Sequence, residues 1–78
     1  MLTHEFIQRE PHFEKGDDCQ MIVTEQINGE LCTYYKHFTI RAMQRNASGY
    51  WEYRLNVKNT GEEYQGGAWY SESGLKDI

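Results

Sequence analysis

The dipeptide Asn28-Gly29 stands between two apolar-patterned runs and constrains this chain more than any other feature. A type I′ turn needs positive φ at both central residues, and asparagine followed by glycine tolerates this most readily. Residues 19–42 therefore read as one long β-hairpin. Counting back from the turn pairs Ile27 with Glu30, Glu25 with Cys32, Val23 with Tyr34 and Cys19 with Phe38. This register puts Cys19, Met21, Val23 and Ile27 on one core face with Phe38, Ile40 and Ala42. Gln20, Thr24, Gln26, His37, Thr39 and Arg41 face the other way, and Ile22 is the apolar exception. A bulge in so long a strand would reverse part of this assignment.

Trp51, Tyr53, Leu55 and Val57 alternate with Glu52, Arg54, Asn56 and Lys58, the clearest period-two segment in the chain. Ala68-Trp69-Tyr70 reads as a short fourth strand, Ser71-Glu72-Ser73-Gly74 as one tight helical turn, and Leu75 as the start of a last short strand. Residues 45–49, 59–61 and 62–67 are turn or loop by composition. A chain of 78 residues with 14% aromatics builds one small domain whose core is carried by large rings. Residues 13–78 form that domain. Residues 1–12 are an N-terminal arm, for which a short strand, a helical turn and a frayed end all remain open.

Three stretches carry a resemblance. Phe13-x-x-Gly16-Asp17-x-Cys19 is similar to an "aromatic-x-x-Gly-Asp-x-Val" lead-in to a first strand. Trp51-Glu52-Tyr53-Arg54-Leu55 and Trp69-Tyr70-Ser71-Glu72-Ser73-Gly74-Leu75 resemble later strands and a closing turn. Together they resemble the SH3-like barrel superfamily, on its Tudor and chromo-barrel side, over most of residues 13–78. The resemblance implies an all-β, five-stranded SH3-like barrel built on a meander, and a binding module rather than a catalyst. Cys19 stands where such barrels usually carry valine, and a free cysteine packs there as a small hydrophobe.

Many members of that group hold methylated lysine or arginine in an aromatic cage; others bind nucleic acid or protein tails. A cage needs two to four rings around a cation that has shed its water. The candidate rings are Tyr34, Tyr35, Tyr50, Tyr64 and Tyr70, with Glu62, Glu63 or Glu72 to complement the charge. Tyr64 and Tyr70 lie near the loop end of the last hairpin. The charge distribution offers a second surface. Residues 31–60 hold Lys36, Arg41, Arg45, Arg54 and Lys58 against Glu52 alone, while the remainder is strongly acidic. Arg41, Arg45, Arg54 and Lys58 form a candidate basic stripe for phosphates or an acidic peptide. The chain's pI of about 5.2 is far below the ~9 typical of a dedicated nucleic-acid binder.

Other chemistry finds no support in the residues. The hairpin register separates Cys19 and Cys32 by six ladder positions, ~20 Å, against the ~7 Å limit for a disulfide. His4, His12 and His37 are scattered, no Cys-x-x-Cys is present, and Gly66-Gly67 leads into a strand rather than a phosphate-binding helix. We therefore expect no catalytic residues, no metal and no cofactor. Asn46-Ala47-Ser48 matches a glycosylation acceptor but reads more simply as a polar turn. Neither a basic-then-apolar leader nor an apolar span is present, so the expected location is intracellular, cytoplasmic or nuclear. The expectation is a non-catalytic protein–protein interaction module for a peptide or tail, including one with a cationic or methylated side chain. The alternatives are a nucleic-acid-binding barrel using the basic stripe and an assembly domain that self-associates through strand edges.

Overall fold

The structure is a computed structural model and describes residues 10–78. Most of the arm expected over residues 1–12 lies outside the described residues. Four strands form one antiparallel sheet in the order β1-β2-β3-β4: β1 Asp18–Ile27, β2 Glu30–Arg45, β3 Trp51–Val57 and β4 Tyr70–Ser71. Two 3-10 turns, Tyr64–Gly67 and Glu72–Gly74, complete the element set among the described residues. Among the described residues, no helix is long and apolar enough to cross a membrane.

The β1–β2 hairpin turns at Asn28-Gly29, with φ of 53° and 81°, and its register is the one counted from the sequence. The sheet curls into a half-barrel. Its inner face buries Cys19, Val23, Phe38, Ile40, Tyr53 and Leu55, joined by Phe13 from the lead-in and Leu75 from the C-terminal segment. Burying a ring or branched side chain of this kind contributes about 1.5–3 kcal/mol, so eight such residues are a minimal core. Cys19 and Cys32 are both free, as the register requires. Burial pushes the Cys19 thiol up to about 11.

Three expectations change. The first concerns β2. A register shift between Ile40 and Ala42 leaves Arg41 unmatched: Ile40 faces Leu55, but Ala42 faces Arg54 and Met43 faces Tyr53. Ala42 is thus turned away from the core face assigned to it, and Met43 packs against the core instead. A bulge lets β2 bend so that its two ends serve β1 and β3. Its backbone is steadied by the lead-in, since Gly16 N–H donates to Ile40 O and Ile40 N–H donates to Asp17 O. Gly16 sits at φ 95° in that tight turn, a conformation that favours glycine.

The second change lies at the C-terminal end, where a fifth strand was expected. Leu75 is buried, but the segment makes a single bridge, Lys76 to Gln20, and the sheet has four strands. Side chains hold the next residue instead: Asp77 engages the His12 ring, and its carbonyl accepts from Gln20 Nε2. The third change is in the fourth strand, which is Tyr70–Ser71 rather than residues 68–70. The preceding turn carries left-handed backbone at Gln65, Gly66 and Gly67, and Ala68 N–H caps it by donating to Gln65 O.

Candidate functional site

The five candidate tyrosines separate into three places. Tyr34, Tyr64 and Tyr70 lie on the inner face, packed against the core rather than left over from it. Tyr64 lies 4.7 Å from Phe38 and 5.8 Å from Tyr70, centroid to centroid. The chain supplies its own cation here: Lys36 Nζ is 5.8 Å from the Tyr64 centroid and 2.8 Å from Glu25 Oε2. Tyr34 O–H donates to the other oxygen of the same carboxylate. Hydrogen bonds from Lys36 and Tyr34 hold the Glu25 carboxyl below its usual value. Tyr35 is on the opposite face of the hairpin, under Lys76.

Tyr50 occupies the third place. A cavity of about 540 Å³ is lined by His12, Tyr50, Trp51, Ser71, Glu72 and Ser73. Tyr50 and Trp51 arrive there because the preceding loop is locked by Asn46, whose Oδ1 accepts from the N–H groups of Ser48 and Tyr50. Asn46 N–H in turn donates to Tyr50 O, so the sequence signal at residues 46–48 is indeed a polar turn. Glu72 arrives on the short turn that Ser71 caps, Ser71 Oγ accepting from Ser73 N–H.

The Glu72 carboxylate is fixed from behind. Tyr53 O–H donates to Oε2 at 2.6 Å and His12 N–H donates to the same oxygen at 3.0 Å. Burial first, and then this bond to Glu72, raise the Tyr53 hydroxyl's pKa, so it stays a donor. Oε1 takes part in neither bond. The His12 ring is tied to Asp77, 2.9 Å from Nε2 to Oδ2, and that hydrogen bond raises its pKa. Arg45 lies 5.0 Å from the Trp51 ring, so this indole already receives a cation.

The remaining acidic candidates serve loops. Glu62 contributes its carbonyl, which accepts from Val57 N–H. Glu63 pairs with Arg41 at 2.9 Å, and its carboxylate lies against Gly67, where a Cβ would come within 3.1 Å of it. The candidate basic stripe is not a bare row of charges. Arg41 holds Glu63, Lys58 holds Asp18, Arg45 lies on Trp51, and Arg54 donates to Gly67 O while stacking 4.4 Å from the Trp69 ring. Basic residues of the middle of the chain are thus bound to acidic and aromatic residues that mostly come from elsewhere in it.

The sequence reading named Tyr50 and Glu72 but not His12, Trp51, Ser71 or Ser73. Alternation groups Trp51 with Tyr53, Leu55 and Val57, but it cannot show that Trp51, the first residue of its strand, is only half covered. Comparison with known proteins finds no matching family model, no matching curated protein and no matching solved structure.

Proposed function

We propose that this chain is a non-catalytic interaction module, and that it takes a cationic side chain of a peptide or tail into the cavity between Tyr50, Trp51 and Glu72. The observation that carries this reading is the convergence of two aromatic side chains and a pre-positioned carboxylate on one cavity. Rings supply the negative π face, and Glu72 supplies a charge whose orientation Tyr53 and His12 already fix. A methylated ammonium suits the site better than a bare one, because it is weakly hydrated and gains from contact with the rings. The alternative cage at Tyr64 and Tyr70 is less favoured, because those rings pack on Phe38 and on each other. The internal partners of Arg41, Arg45, Arg54 and Lys58 favour a peptide over nucleic acid, since phosphates would have to displace existing contacts. On this reading the fold is an SH3-like barrel whose fifth strand has shrunk to the Lys76 bridge.

The test is calorimetric titration with a short peptide carrying trimethyl-lysine, beside its unmodified twin. The methylated peptide is expected to bind with a dissociation constant of about 10–500 μM, and the twin at least fivefold more weakly. Glu72→Gln and Trp51→Ala should each weaken binding about tenfold, while Tyr64→Phe leaves it unchanged. Equal binding by the Trp51→Ala protein would overturn the assignment.

A further inference from the structure

β2 is longer than either strand beside it. β3 covers it from Arg45 to Phe38, and Lys58 N–H donates to His37 O one step further on. Beyond His37, among the described residues, β2 has β1 alone as a neighbour. The two-residue turn makes Ile27–Glu30 a hydrogen-bonded pair, so the N–H and C=O groups of Leu31, Thr33 and Tyr35 point away from β1 into an open edge. Edges of this kind are usually guarded by outward charges or proline. Between Glu30 and Lys36, residues 31–35 carry neither charge nor proline, although Lys76 Nζ lies 5.6 Å from the Tyr35 ring. The outer face of the hairpin arm carries Ile22, Thr24, Gln26, Leu31, Thr33 and Tyr35, with Leu31 74% and Ile22 57% exposed.

The edge is self-complementary. Two copies of β2 laid antiparallel about a two-fold axis at Thr33 set Leu31 opposite the second copy's Tyr35 and Glu30 opposite its Lys36. Thr33 meets its own counterpart, and the outward groups of all three odd-numbered residues find partners. Apolar meets apolar twice by symmetry, and each Glu30 meets a Lys36 that already pairs with Glu25 of its own chain. The second copy's turn then abuts the end of β3, where Lys58 N–H donates to His37 O, beside a cleft bordered by His37, Val57, Asn59 and Thr60. We propose that the occupant of this edge is a second copy of the same chain, joined through residues 31–35 of β2 into one continuous sheet. A five-residue ladder is shorter than a standard interface of about 800 Å² per partner, so the dimer dissociates in the micromolar range or above.

The full chain should sediment as a 9.3 kDa monomer when dilute and approach twice that mass at several hundred micromolar. Over the same range, hydrogen exchange at the amides of Leu31, Thr33 and Tyr35 should slow at least fivefold. Thr33→Pro removes an amide that β1 does not use, and should lower the association constant at least tenfold. Thr24→Pro breaks the same Thr24–Thr33 hydroxyl contact but leaves the β2 edge intact, and should still dimerise. Glu30→Lys, which leaves the ladder untouched, should weaken association through repulsion from the second copy's Lys36. A monomer at every concentration would overturn the proposal, as would protection that appears at Ile22, Thr24 and Gln26 instead.

Discussion

Tyr53 is the residue on which core and site meet. Its ring is fully buried edge-on to Phe13, 5.7 Å between centroids, and its hydroxyl reaches out of the core to Glu72. Tyr53→Phe keeps the packing and removes a charge-assisted hydrogen bond, so it should cost about 1.5–3 kcal/mol in a urea melt. It should also weaken binding of a methylated peptide, because Glu72 loses the donor that orients it. At the same scale, pH dependence follows from three carboxylate partnerships. Asp18 and Glu25 are held below their usual values by Lys58 and Lys36, so their contribution is present above the unfolded values near 4 and is lost as pH falls through the folded ones. His12 is raised by Asp77, so its contribution is complete below about 6.5 and is lost as pH rises through its folded value. Urea midpoints should therefore peak between about pH 5 and 6.5, and Asp77→Asn should remove the decline on the alkaline side.

At the scale of elements, the hairpin was fully legible, because a two-residue turn allows only one register and the side-chain parity then follows. The bulge at Arg41 was not, since it has no glycine to announce it and arises where β2 must leave β1 and follow β3. Its consequence is testable by a pair of substitutions. Met43→Ala should destabilise the protein by about 1–2 kcal/mol, whereas Ala42→Ser should stay within about 0.5 kcal/mol. An unbulged strand would give the reverse order. The tyrosines show the same limit. Alternation places Tyr34 and Tyr35 on opposite faces, but it cannot show that Lys36 and Glu25 fill the space beside Tyr64, because those contacts join the hairpin to a distant turn.

For the whole molecule, charge asymmetry turns out to be largely internal. The basic middle of the chain closes against its acidic flanks through Lys58–Asp18, Lys36–Glu25 and Arg41–Glu63, which tie the β1–β2 hairpin, the bulge and the loop after β3 together. Two exposed features among the described residues stand apart from those pairs: the cavity at Tyr50, Trp51 and Glu72, and the open edge of β2 beyond His37. The first was half legible, through Tyr50 and Glu72. The second entered only as the alternative of self-association through strand edges, with no residues attached.

On the proposed function, the cavity between β3 and the Glu72–Gly74 turn receives a cationic side chain. The most direct measurement is a two-dimensional NMR titration of the labelled chain with a trimethyl-lysine peptide, following amide resonances and the Trp51 indole N–H. Shifts should concentrate at Tyr50, Trp51 and residues 71–73, with Tyr64 and Leu31 still. Shifts confined to Tyr64 and Tyr70, or none at millimolar peptide, would contradict it.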